Sequence, residues 1–306
     1  MENDIEITDI DENITLIKTN YDDVKLYLIS LNNFKVLFDS ATDAKIREIL
    51  MMIDKPKYAI ITHAHPDHAG GTGYLYSNGV ITSSNITNKC LLYDENIMSK
   101  SFIPEYIQKE FNYKSFIKDY IEKIKVECKN PKIGSIEYPR IDGLKIINGK
   151  GHTSGTLLIY YNGLLFTSDG IQGTGINGRN RTDAIPQIWS INNYLMTLNN
   201  IKKLNINTIV PGHNFMPFNK PLIEGNNVQE FIYKSEEYVY KLLNTSFDIL
   251  IDKMTLMEFT SKLLGKTGHK NEVYPQAFIT SMAILNFIKN DIFIEKEGDE
   301  FMYKLK

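Results

Sequence analysis

The sequence predicts an α+β fold with a C-terminal helical, winged-helix-like extension, and three observations carry that reading. Short apolar runs of strand length fill the first forty residues. Three later strands each run into a histidine beside glycine or proline. Beyond residue 225 the apolar positions recur at helical spacing and end in a small hairpin.

In chain order, Ile14 to Ile17 forms one strand, and Val24 to Leu31 and Phe34 to Phe38 form two more around an Asn32-Asn33 turn. Thr42 stands as the N-cap of a helix whose stripe is Ile46, Ile49, Leu50 and Ile53. Tyr58 to Ile61 is wholly apolar, as a strand buried on both faces should be. Residues 94–130 read as a helical insertion in which Ile107, Phe111, Tyr120, Ile121 and Ile124 share a face. Thr156 to Asp169 holds two apolar runs around Asn162-Gly163, the strongest hairpin signal in the chain, so His152 and Asp169 should meet where the two strands end. A helix marked by Ile188, Ile191, Leu195 and Leu198 and a strand Thr208 to Val210 follow. Residues 1–225 then form the main domain and 226–306 the extension. Its first stripe includes Val228, Phe231 and Leu242, its second helix opens with the capping box Thr255-Leu256-Met257-Glu258, and Ile292 to Ile294 pairs with Phe301 to Tyr303.

Composition narrows the function. The 34 basic and 37 acidic residues leave a net charge of −3, with no positive excess to hold nucleic acid. A hydrophobic fraction of 42% with 23% charged residues excludes disordered and collagen-like classes. Met1 to Asn13 is acidic and lacks a signal sequence, and the uncharged stretch Val273 to Ile288 is too short to span a bilayer, so a cytoplasmic location away from membranes is expected. Cys90 and Cys128 form no CxxC pair and offer neither a disulfide framework nor a thiolate metal site.

Five of the six histidines, His63, His65, His68, His152 and His213, fall at strand ends. His63-x-His65-x-Asp67-His68 puts four metal-capable side chains within six residues. In an extended segment His63 and His65 point the same way and grip one ion, while Asp67 and His68 face elsewhere toward a second. His152, Asp169 and His213 complete two half-shells. Imidazole and carboxylate donors without cysteine favour two divalent ions, zinc first, with iron or manganese allowed. His269, in a loop-like setting far along the chain, reads as a surface residue.

These motifs resemble the metallo-β-lactamase superfamily. Its His-x-His-x-Asp-His signature is matched by His63, His65, Asp67 and His68. Its later stations are matched by Gly151-His152-Thr153-Ser154-Gly155, Ser168-Asp169 and Pro211-Gly212-His213. The resemblance implies a four-layer αβ/βα sandwich. One metal would then be held by His63, His65 and His152, the other by Asp67, His68 and His213, with Asp169 bridging. Two departures stand out: Ser168 occupies a position usually held by glycine, and Phe38-Asp39-Ser40-Ala41 replaces the frequent Asp-Thr-Gly.

A pair of divalent ions implies hydrolysis by ionised water, with Asp67 as the catalytic carboxylate that orients the nucleophile and passes a proton to the leaving group. The glycine-rich loop 170–181 partly resembles that of hydroxyacylglutathione hydrolases, the glyoxalase II branch, without their glutathione-binding tail. A small thioester, ester or lactone is the leading substrate class, and Arg179 and Arg181 read as solvated loop residues. The tail also resembles that of members acting on single-stranded RNA, which keeps a nuclease or phosphodiesterase as the alternative. A mono-iron enzyme similar to persulfide dioxygenases is the third reading. His65 stands where flavin-linked diiron members have glutamate, and that branch is set aside. A homo-oligomer is compatible with the apolar C-terminal helices.

Overall fold

In the computed structural model, residues 5–19, 24–93, 128–176, 183–270, 272–298 and 300–306 are described. The expected insertion helices and both loop arginines, Arg179 and Arg181, lie outside them.

Six strands form the first sheet in chain order: β1 (Ile5–Asp9), β2 (Ile14–Thr19), β3 (Lys25–Leu31), β4 (Phe34–Phe38), β5 (Tyr58–Ile60) and β6 (Ile81–Ser83). Pairing is antiparallel from β1 to β4 and parallel from β4 to β6. The second sheet has the order β11-β10-β9-β8-β7, built from β7 (Leu144–Asn148), β8 (Leu157–Tyr161), β9 (Leu164–Ser168), β10 (Thr208–Pro211) and β11 (Ile223–Glu224). The turn between β8 and β9 has Asn162 at φ 48° and Gly163 at φ 89°, the left-handed pair that a two-residue hairpin requires.

Alternation along the strands builds the layers. Tyr27 and Ile29 of β3, Val36 and Phe38 of β4 and Ile60 of β5 meet Ile159, Phe166 and Val210 of the second sheet in one apolar cluster. Phe166 lies 4.9 Å from both Tyr27 and Phe38, ring centre to ring centre. The intervening residues, Leu26, Leu28, Leu37, Ala59, Leu158, Leu165 and Ile209, join the cluster that holds the helices. Strands apolar on both faces therefore take a sheet on one side and helices on the other, the αβ/βα arrangement.

On the first sheet α1 (Asp43–Met52) buries Ile46 and Ile49, with Thr42 capping Lys45 N–H as expected. The short helices α2 (Pro66–Ala69) and α3 (Thr72–Ser77) and then α4 (Ile86–Tyr93) follow. On the second sheet α5 (Ile191–Ile201) starts at the Ser190 cap and buries Ile191, Tyr194 and Leu198. The extension comprises α6 (Asn226–Ile249), β12 (Met254–Thr255), α7 (Leu256–Thr267), α8 (Pro275–Phe287), β13 (Ile292–Glu297) and β14 (Glu300–Leu305). The Thr255–Glu258 capping box is formed in full. Strand β12 adds to the terminal hairpin in the order β12-β14-β13, completing a winged-helix-like order of elements. Phe231, Phe278 and Ile284 of this part share one buried cluster with Tyr194 and Leu198 of α5. No helix among the described residues is long and apolar enough to cross a membrane.

Candidate metal centre

The strand ends deliver the site. Beyond β5 the chain stays extended through His65, and Pro66 at the first helical position then turns it into α2. That change of backbone sends His63 and His65 to one side and Asp67 and His68 to another. Asp169 directly follows β9, His213 lies two residues beyond β10, and His152 precedes β8. Gly212 permits the closest approach: a Cβ there would sit 2.5 Å from Asp169 Oδ1 and 2.9 Å from His68 Cε1.

All seven expected side chains come together. His63, His65, His152 and Asp169 form one group and Asp67, His68 and His213 another, each offering donor atoms within 4.8 Å of one another. Asp169 sits between them: its Oδ2 is 3.7 Å from His152 Nε2 and 3.4 Å from His213 Nε2, and its Oδ1 is 3.6 Å from His68 Nε2. Asp67 Oδ2 is 3.5 Å from His213 Nε2. His63, His68, His152, Asp169 and His213 are buried, whereas His65 and Asp67 are partly exposed and mark the open side.

The donor set fits cations. Among the described residues His63 Nε2 and Asp169 Oδ1 are buried without a hydrogen-bond partner, which is costly unless another group satisfies them. Imidazole nitrogens also face each other, His152 Nε2 to His65 Nδ1 at 3.0 Å and His68 Nε2 to His213 Nε2 at 3.4 Å. Nitrogen and oxygen donors without thiolate suit zinc, iron or manganese.

Electrostatics divides the histidines by group. Burial, then the neighbouring imidazoles, holds His63 well below its ordinary pKa. Burial and His152 take His65 down to about 3. Burial also lowers His152. For His68 burial opposes the charge, but Asp169, Asp67 and Asp39 outweigh it and push the ring up to about 9. His213 is raised well above its usual value as Asp169 and Asp67 overcome burial. Burial of Asp169 and the partial enclosure of Asp67 oppose their charges, yet the surrounding histidines hold both below the usual carboxylate range.

A second set of residues orients this cluster. Asp39, at the end of β4, is 2.8 Å from His68 Nδ1 through Oδ2 and accepts Thr62 N–H through Oδ1 at 2.8 Å. Ser168 Oγ donates to Asp39 Oδ2 at 3.1 Å and lies 2.8 Å from Thr62 Oγ1. His152 Nδ1 faces the Gln187 carbonyl at 3.0 Å and the Gln172 amide nitrogen at 2.8 Å. Sequence reasoning assigned no role to Thr62, Gln172 or Gln187 and noted Asp39 only as part of a departure. For Asp39 the missed signal was its place at a strand end, the same signal that found the histidines. His269 lies in the extension, partly buried beside Thr267 and outside both donor groups. Cys128 is buried and Cys90 partly exposed.

The resemblance read from the motifs can be set against known proteins. A structure of a metallo-beta-lactamase family protein from Thermus thermophilus superimposes with a TM-score of 0.68 at 16% identity, covering 99% of both chains. A beta-lactamase domain protein from Burkholderia ambifaria gives 0.71 at 13% identity, covering 98% of this chain and 94% of its own. The mono-zinc form of the metallo-beta-lactamase FIM-1 from Pseudomonas aeruginosa gives 0.51 at 16% identity, covering 78% of this chain and 95% of its own. At these identities the likeness is one of fold. No curated protein matches by sequence. The family model of the metallo-beta-lactamase superfamily matches residues 21–213, a span that runs from the first sheet to the last histidine of the cluster. With the αβ/βα layers and the His-x-His-x-Asp-His turn both in place, the chain belongs to the metallo-beta-lactamase superfamily.

Proposed function

We propose that the protein is a hydrolase working with two divalent cations, zinc first among them, on a small ester, thioester or lactone. The observation that carries this reading is the pair of donor groups joined through the single carboxylate of Asp169. His63, His65 and His152 would hold one ion, Asp67, His68 and His213 the other, and Asp169 would reach both. When bound, such ions lower the pKa of water from about 15.7 to about 7 and draw charge from the oxygen of the bond being cleaved.

The chain's own residues do the rest. Asp67 is held ionised and keeps 20% of its side chain exposed, so it can accept a proton from entering water and return it to the leaving group. Ser168 is no nucleophile in this reading, because its hydroxyl is buried against Asp39 and Thr62 beside His68 Nδ1. The net charge of −3 favours a small substrate over a polyanion. The test is a panel of thioesters, esters and lactones with zinc-, iron- and manganese-loaded protein. Turnover that is lost in Asp67→Asn supports the reading, and turnover of none of them refutes the substrate class.

The winged-helix-like order of the extension favours a second reading, cleavage of single-stranded RNA. RNA cleavage that disappears in Asp67→Ala would promote it, and absence of RNA binding at low salt would remove it.

A further inference from the structure

We infer that Thr280, on helix α8 of the C-terminal extension, is a positioning residue for the metal ligand His152. The inference rests on the metal-binding reading above and gives the extension a part in the centre.

The link is a strap, residues 184–190, bonded to α8 and its N-cap on one hand and to the His152 loop on the other. Over residues 186–188 successive backbone groups bond to opposite sides. On one side Ile188 N–H donates to Thr280 Oγ1 at 2.9 Å, and Thr280 Oγ1 donates to the Pro186 carbonyl at 2.7 Å. Ile185 N–H donates to the Tyr274 hydroxyl at 2.8 Å, which secures the start of the strap. On the other side the residue between those two anchors, Gln187, turns its carbonyl to His152 Nδ1 at 3.0 Å and donates its N–H to Gln172 Oε1 at 2.8 Å. Gln172 Nε2 in turn donates to the Asp169 carbonyl at 3.1 Å. Trp189 N–H and Ser190 N–H both donate to the Gly151 carbonyl, so the strap grips the peptide before His152 as well as its ring.

For His152 Nε2 to offer a lone pair to an ion, the ring proton must sit on Nδ1 and be taken by an acceptor. Two groups face Nδ1, the Gln187 carbonyl at 3.0 Å, which can accept its proton, and the Gln172 amide nitrogen at 2.8 Å, which cannot; the carbonyl wins the proton only if the strap holds it in place. Thr280 is fully buried, and its one hydroxyl pairs with the backbone on both sides of Gln187, the Pro186 carbonyl at 2.7 Å lying nearer than the Gln276 carbonyl of its own helix at 3.1 Å. The hydroxyl of Thr260 in α7 is also fully buried but, among the described residues, bonds to the Leu256 carbonyl of its own helix alone. It supplies the matched control.

The experiment titrates metal-free protein with zinc against a chromophoric chelator, for the wild type and for Thr280→Val, Thr280→Ser and Thr260→Val. A His213→Ala background isolates the group of His63, His65 and His152. Loss of an outer hydrogen-bond partner costs metal sites about 10–100-fold, and Thr280 acts one step further out, so T280V should bind at that group about tenfold more weakly. The other group should keep its affinity, T280S should restore the wild-type value, and T260V should match wild type. Wild-type affinity in T280V overturns the inference, as does an equal loss in T260V or at both groups. Should T280V fail to fold, Tyr274→Phe removes one hydroxyl from the same strap and must weaken the same group, and unchanged affinity there also overturns the inference. A wild-type protein that binds no zinc would instead overturn the metal-binding reading itself.

Discussion

Asp39→Asn is the sharpest probe of how the second donor group is held. Asp39 sits at φ 62°, a left-handed conformation that asparagine tolerates better than most residues, so the backbone accepts the change. Thr62 N–H can only donate, which keeps the amide oxygen where Asp39 Oδ1 now lies at 2.8 Å. The amide NH2 must then occupy the Oδ2 position, 2.8 Å from His68 Nδ1. A donor facing Nδ1 drives the imidazole proton to Nε2, the atom that points at Asp169 and His213. An ion there would meet an N–H instead of a lone pair. Loss of such an orienting partner costs about 10–100-fold in metal affinity, equivalent to about 1.4–2.7 kcal/mol. Zinc titration against a competing chelator should show one equivalent bound as in the wild type and the second weakened by that factor. A second equivalent bound as tightly as in the wild type would refute the orienting role of Asp39.

The remaining predictions concern the ligands, protons and backbone. His152→Ala, Asp169→Ala and His213→Ala should each lower bound metal and abolish turnover while the protein stays soluble, read by metal analysis and circular dichroism. In the metal-free protein His68 is raised to about 9 and His213 is raised well above its ordinary value. Ion and proton compete for one lone pair, so affinity at their group should rise with pH toward 9, about tenfold per unit for each proton displaced. The group of His63, His65 and His152, whose rings are held low, should bind with little change from about pH 6 to 8, and proton release measured by calorimetry in several buffers separates the two. Ser168→Ala removes buried hydrogen bonds worth about 1–3 kcal/mol and keeps the left-handed backbone, whereas Ser168→Gly also relieves about 1 kcal/mol of that strain. Urea unfolding should therefore rank Ser168→Gly above Ser168→Ala, and the reverse order would contradict this account.

What could be read from the sequence was local. Thr42, the Thr255–Glu258 box and Asn162-Gly163 act within a few residues of themselves, and each is found in its expected role. The cluster was legible because four of its members lie within one short motif and the others share the strand-end setting. Strand β1 was missed because only Ile5 of its five residues is buried, so no alternation marks it. Strand β12 is two residues long and is a strand only because β14 lies beside it. Gln172 and Gln187 escaped for a different reason: Gln187 acts through its backbone N–H and carbonyl, which every residue type except proline provides.

The two departures from the family pattern are connected physically. Asp39, Ala41 and Ser168 all have positive φ, at 62°, 50° and 44°, although none is glycine. Each lies where a strand ends and the chain must turn sharply toward the cluster, the kind of place where glycine would cost least. Non-glycine residues persist in such conformations only when their surroundings hold them there. For Asp39 and Ser168 the surroundings are one another: the Ser168 hydroxyl bonds to the Asp39 carboxylate, and both contact Thr62 and His68 Nδ1. A glycine at 168 would remove the strain and also one of the groups that fix Asp39. The serine thus exchanges backbone ease for a buried network across β4, β9 and the His63 loop, and that network decides which nitrogen of His68 faces the candidate ions.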